Sequence, residues 1–415
     1  MRGAQRATWL VGWALLISLS VVLGCGEKRT QQSCRMAVEI VVAKSAHTPE
    51  ALRLLRIDDE RLLLLWSADG MTQFAMLDNQ GALKTEPALL GTTHFAASPS
   101  AHPKAFFPQE ARHFDARAIA AVVLPDGDIA VGVVTQGYGV SPGALHVARI
   151  NGKTLQISAL RQLVHVDAFA DTLVLAPMGQ ALLIGWPSVQ NNRANIHLHR
   201  VDAATLDTID ATLVPADGNA FGPALSHDAS QMLLLWTQRI DGVSRLDFSY
   251  ALQAAQIRPD LTFDNFAEVA KVRVFDAAPA VIPMADGFGI AFRDDRDDDG
   301  EAEFYFARIG NSGTVLSAPK RISRADGPRG PRIDSASANG PVFSAQIRSY
   351  QRNFLLGINR FDVWGQKMGG EFQVYADKSE FLLADVDVNG DAALFVYAES
   401  SDRGGRILSA VVHCR

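Results

Sequence analysis

The chain has 415 residues, with 39 Lys and Arg against 45 Asp and Glu, and its formal net charge is −6. No dense Lys/Arg stripe is present, which removes the electrostatic case for nucleic-acid binding. Mild acidity of this kind suits a soluble exported domain, and the length is compatible with one large all-β domain.

The first residues differ from the rest. "MRGAQR" carries Arg2 and Arg6 and no acid, and an apolar run, "ATWLVGWALLISLSVVLG", follows from Ala7 to Gly24. A charged start, an apolar middle and a small residue before the cut make a secretory signal over 1–24. The run is nearly long enough to span a bilayer, so a retained anchor helix is the competing expectation. "VLGC" (Val22–Cys25) resembles a bacterial lipobox, which implies cleavage before Cys25 and a lipid on its thiol. Processing there would leave 37 basic against 45 acidic side chains, a formal −8. Residues 25–35 then read as a lipidated polar tether and 36–415 as the folded domain. Gly26 follows the cysteine in place of the aspartate that signals inner-membrane retention, so the resemblance implies outer-membrane placement, periplasmic or surface facing.

Beyond the tether one pattern recurs. It is an apolar run, a polar loop, an alternating run, a Gly or Asp turn and a short further run. Copies occupy 61–83, 128–155, 181–206, 232–252, 287–316, 341–368 and 392–415. Upstream of most copies sits another short apolar segment and a turn, as in "AIAAVVLPDGD", "TLVLAPMGQ", "APAVIPMADG" and "FLLADVDVNGD". The runs are short, β-branched and aromatic, and "FYFARI" and "IHLHRV" alternate with the period of a strand. Seven four-stranded units at roughly 50-residue spacing predict an all-β fold, a single seven-bladed β-propeller. Trp66, Trp186, Trp236, Phe292 and Tyr397 end the second strand of their units, where packing between blades is the expected role. Residues 91–117 fit no strand and read as a long insertion.

The last copy stops after its third strand, whereas "CRMAVEIVVA" (34–43) is a strand with no repeat of its own. A ring closes if the N-terminal strand supplies the missing fourth strand. Antiparallel pairing then sets Cys34 beside Cys414, and an oxidising compartment permits the bond.

The chain offers few chemical signals. In "DDRDDDGEAE", Asp295, Asp297, Asp299, Gly300 and Glu303 have a spacing that resembles the calcium loops of integrin-type propeller repeats, which makes calcium the one candidate cofactor. The alternative is a solvated acidic turn paired with arginines from neighbouring loops: Arg239, Arg245, Arg348 and Arg352. "DVDVNGD" (385–391) reads as a turn at Asn389-Gly390. His197 and His199 share one face of a strand and read as a surface pair. "SADGMT" lacks the ordered Asp-box of sialidases. Serine-hydrolase elbows, zinc-protease helices and nucleotide-binding glycine loops are all missing.

Taken whole, the chain resembles bacterial lipoproteins that carry a seven-bladed β-propeller. Lipid-anchored propellers that scaffold outer-membrane protein assembly are similar in design, but their tryptophan-rich repeats are not evident here. The primary expectation is therefore a membrane-anchored envelope protein that binds a protein or glycan partner on a propeller face. The alternative is a polysaccharide hydrolase or lyase with its site in the central funnel.

Overall fold

The computed structural model describes residues 34–46, 49–68, 71–90, 116–135, 143–166, 172–190, 193–227, 231–240, 250–274, 277–296, 302–323, 332–335, 337–350, 353–374, 380–401 and 404–414. Seven antiparallel sheets of four strands form the expected seven blades. The first strand, β1 (Cys34–Ser45), belongs to the last blade. Blade 1 is β2 (Ala51–Arg56), β3 (Leu62–Ala68), β4 (Met71–Leu77) and β5 (Ala88–Leu89). Blade 2 is β6 (Ala116–Val123), β7 (Ile129–Thr135), β8 (Gly143–Ile150) and β9 (Ile157–Val166). Blade 3 is β10 (Val174–Met178), β11 (Ala181–Gln190), β12 (Arg193–Asp202) and β13 (Thr208–Leu213). Blade 4 is β14 (Ala220–His227), β15 (Met232–Arg239), β16 (Tyr250–Ile257) and β17 (Phe263–Val272). Blade 5 is β18 (Ala280–Met284), β19 (Gly287–Asp294), β20 (Glu303–Gly310) and β21 (Val315–Arg321). Blade 6 is β22 (Arg332–Ser335), β23 (Val342–Tyr350), β24 (Asn353–Phe361) and β25 (Phe372–Val374). Blade 7 is β26 (Glu380–Asn389), β27 (Ala392–Ser401) and β28 (Gly404–Cys414), completed by β1.

The closure follows the sequence expectation. β1 pairs antiparallel with β28 in a register that puts Cys34 opposite Cys414, and the two are joined by a disulfide. The strand starts at Cys34, so the last two residues assigned to the tether are already paired. Likewise β6 begins at Ala116, two residues inside the segment expected as an insertion; residues 91–115 lie outside the described part.

Each second strand is buried on both faces, because a blade has a neighbour on either side. Thus β3 and β7 are buried along their whole length, whereas the outer strands β13 and β21 are largely exposed. This is why "LLLLW" is continuous and "VLSAPKR" is not. The core divides into seven clusters, one for each boundary between blades. The aromatics fill them as expected. Trp66 clusters with Leu394 and Val396 of blade 7, Trp186 with Leu145 and Val147 of blade 2, and Trp236 with Ile196 and Leu198 of blade 3. Phe292 and Tyr397 do the same at the 4/5 and 6/7 boundaries. The residue after the tryptophan can capture the next blade: Ser67 Oγ accepts the Ala116 N–H at 3.0 Å, and Thr237 Oγ1 accepts that of Ala277 at 3.3 Å.

A second device recurs at the other end of the blades. Turns between third and fourth strands are built on a carboxylate or amide folded onto its own backbone. Asp78, Asn151, Asp202 and Asp362 each accept two backbone N–H groups from the two to four residues that follow. Into these turns reaches a side chain from near the end of the preceding blade's third strand. Arg149 donates to Ala203 O at 2.9 Å, Arg200 to Pro259 O and Gln256 to Asn311 O, while Arg360 reaches the end of strand β28 in blade 7, donating to Cys414 O at 3.2 Å. Arg308 instead lies 4.1 Å over the Trp364 ring. Arg61 to Gly152 O and Ser409 to Gly81 O, both 2.8 Å, cover the two remaining boundaries from other positions. Gly81 is required there: its φ is +77°, and a Cβ would stand 2.5 Å from Ser409 Oγ.

Candidate functional site

The first strands of the seven blades line the central channel, and their charge is unevenly distributed. β10, β14 and β18 ("VLAPM", "AFGPALSH", "AVIPM") contain no acid, lysine or arginine. β6 carries Arg117 alone, whereas β22, β26 and β2 contribute Arg332 and Asp334, then Glu380, Asp385 and Asp387, then Arg53 and Arg56. These three strands are neighbours across blades 6, 7 and 1 because the ring closes there.

Local structure explains the orientation. Asp385 and Asp387 are two apart on a strand and share a face, while Val386 and Val388 enter the core between blades 6 and 7. Asp385 Oδ2 accepts the Leu54 N–H at 2.8 Å and Arg53 Nη1 at 3.3 Å. Asp387 is gripped by Arg56, whose Nε lies 3.0 and 3.1 Å from its two oxygens and whose Nη2 also donates to it. Arg56 Nη1 in turn reaches Asp58 O and Asn79 Oδ1, both at 3.2 Å. Asp334 Oδ2 accepts the Val388 N–H at 2.7 Å. Two of the three aspartates therefore each accept a backbone N–H from the first strand of the following blade.

Their environments differ. Burial pushes the Asp334 carboxyl up to about 7, and the negative charges of Asp387 and Asp385 add to the effect against its bonds from the Val388 and Ser335 N–H groups. Burial also raises Asp387, but the bond and charge of Arg56 oppose it. Asp334 can thus hold a proton at neutral pH beside two carboxyl groups that are hydrogen-bonded to arginines. Two carboxyl groups with separated proton affinities are the minimum equipment for acid–base chemistry. Arg56 ends β2, and Asp387 stands two residues before the end of β26, so the cluster sits at the channel end where first and second strands turn.

The sequence candidates fall elsewhere. Cys25 lies outside the described residues, as do Asp297, Asp299 and Gly300 of the acidic loop. Of its remaining members, Glu303 is buried at the start of β20, where it accepts Tyr305 Oη at 2.8 Å and Arg321 Nη1 at 2.8 and 3.1 Å. Arginine pairing is therefore present, but from Arg321 on the same blade; Arg245, Arg352 and the side chain of Arg348 are not described. Among the described residues no three His, Cys, Asp or Glu side chains gather around a metal position. His197 and His199 are half-buried against Trp186, at ring separations of 5.4 and 4.7 Å, and not a surface pair. The turn of "DVDVNGD" is at Gly390, with φ +61°, as expected. The charged cluster formed by its two strand aspartates was missed. The alternation Asp-Val-Asp-Val was its only local signal, and nothing nearby in sequence points to Asp334 or Arg56.

No protein-family model matches the chain, and no curated protein does. Among solved structures it is similar to the GH93 α-L-arabinofuranosidase of Fusarium graminearum in complex with arabinobiose, at 12% identity and TM-score 0.47, over 71% of this chain and 92% of that one. The Penicillium chrysogenum α-L-arabinanase complexed with arabinobiose is similar at 11% identity and TM-score 0.46, with the same coverage. Likeness at this level adds no functional argument to the architecture described above.

Proposed function

We propose that the protein is a polysaccharide hydrolase working at the charged end of its channel. Asp334 would donate a proton to the leaving oxygen, and Asp387, gripped by Arg56, would serve as the opposing carboxylate. The observation that supports this is Asp334 itself: a carboxyl raised to about 7 beside two further aspartates, with no arginine or lysine hydrogen-bonded to it among the described residues. The test is release of reducing ends from a panel of neutral and acidic polysaccharides. Activity should fall as pH rises through about 7, where Asp334 loses its proton, and Asp334→Asn should lower it by roughly 10²–10⁴-fold with the fold intact. Cleavage that survives Asp334→Asn would remove the assignment.

A binding or scaffold role is the second reading, favoured by the exposed Ile209, Leu213, Phe266, Val315 and Leu316 on the outer strands of blades 3 to 5. Phe266→Ser with Leu316→Ser would weaken partner capture and leave hydrolysis unchanged. Either role is proposed to operate at the envelope, with lipid on Cys25; Cys25→Ala should release the protein from the membrane fraction, and retention would count against the lipobox.

A further inference from the structure

Between the outer strands of blades 4 and 5 lies a groove of about 520 Å³, lined among others by Lys271, Val272, Arg273, Asp294, Arg296 and Pro319. It lies at the ends of β17, β19 and β21, on the face opposite the charged channel end and remote from Asp334. Among the described residues three cations and one anion line it, a net positive set on a chain whose formal charge is −6.

Arg296 is pre-set. Its Nε donates to Asp294 Oδ2 at 2.7 Å, and its guanidinium lies 4.6 Å over the Tyr305 ring. Asp294 is fully buried, and its other oxygen takes the Arg273 N–H at 2.8 Å. A carboxylate on one edge and a ring on one face fix the guanidinium plane, while the side chain keeps 32% of its surface open. A guanidinium held this way loses little freedom on receiving a planar or tetrahedral anion. Lys271 is exposed on the adjacent strand, and its ammonium makes no ion pair among the described residues. Ala270, Val272 and Pro319 add apolar surface. A lone sulfate or phosphate would leave most of this volume to water; several linked sugar rings would fill it, with C–H faces on the apolar wall and acidic substituents on the cations.

We infer that this groove binds an anionic polysaccharide through its carboxylate or sulfate ester groups. The proposal does not depend on channel chemistry. Calorimetric titration of the mature protein would use oligogalacturonate for the carboxylate arm and a heparin-derived oligosaccharide for the sulfate arm. A neutral cello-oligosaccharide and a polyglutamate of matched length would be the controls. At least one acidic glycan should bind, more weakly as salt rises. Lys271→Glu should weaken that binding by roughly tenfold or more without moving the unfolding midpoint. Arg296→Lys, which keeps the charge and loses the planar fork, should weaken it as well. Asp334→Asn should leave binding unchanged, which separates this site from the channel. Equal binding of the neutral glycan or of polyglutamate would overturn the proposal. So would failure of both acidic glycans to bind, or affinity indifferent to Lys271→Glu.

Discussion

Asp334 and His146 give the fold opposite responses to acid. His146 lies among Val131, Val133, Ala148 and Leu160, and burial, with the charge of His165 adding, pushes it down to about 4. Above its ordinary value near 6.5 it is neutral in both states, so it costs nothing there. As pH falls from 6.5 to 4 only the unfolded chain takes the proton, and up to about 3 kcal/mol of stability is lost. Asp334 works the other way. Between about 7 and 3.8 the native carboxyl keeps a proton that the unfolded chain has released, so stability rises as pH falls through that window, by at most about 4 kcal/mol. From 6.5 to 4 the two largely cancel. Asp334→Asn should therefore stabilise the protein at pH 8 and expose the acid loss caused by His146, read as denaturation midpoints across pH. A variant less stable at pH 8 than the parent would make Asp334 a structural tie alone. The calcium expectation also belongs to this scale. Glu303 already holds Arg321 and Tyr305, so thermal unfolding should be alike in millimolar calcium and in chelator. A calcium-dependent rise lost in Asp297→Ala with Asp299→Ala would restore the ion.

At the scale of elements, the repeat is a set of boundary devices more than a repeated strand pattern. The second-strand aromatic fills the gap to the preceding blade, and a third-strand arginine or glutamine clasps the turn of the next. That arm is written as "ARI", "HRV", "AQI", "ARI" and "NRF" at 148–150, 199–201, 255–257, 307–309 and 359–361. It is legible in retrospect, since a long polar side chain just before the last buried apolar residue of a strand has no business in a core without a partner. Arg149→Met should cost about 1–3 kcal/mol, because it removes the bond to Ala203 O and takes the cation from the partly buried Asp128, which keeps only Asn151 and the Gly152 N–H among the described residues. Adding Asp128→Asn should recover part of that loss, and urea midpoints of the single and double variants measure both steps. An unchanged midpoint for Arg149→Met would mean the arm only follows the turn.

For the whole molecule, the Cys34–Cys414 bond links positions 380 apart, so it joins nearly all of the ring. The chain-entropy account gives it an upper limit of about 6 kcal/mol. Cys34→Ser with Cys414→Ser should lower the denaturation midpoint, and hydrogen exchange should rise first along β1 and β28. Loss confined to global unfolding would instead place the bond's effect in the unfolded chain. Much of this architecture could be read from residues alone. Apolar runs of strand length, repeated seven times with a missing last strand, specify the blades, the closure and the cysteine pair, because burial on both faces and hydrogen-bond pairing are local demands that composition records. The channel cluster was decided by the tertiary structure. Arg56 and Asp387 are 331 residues apart, and only ring closure makes them partners. The raised affinity of Asp334 for its proton likewise comes from burial and from neighbours on another blade, a field that no stretch of sequence contains.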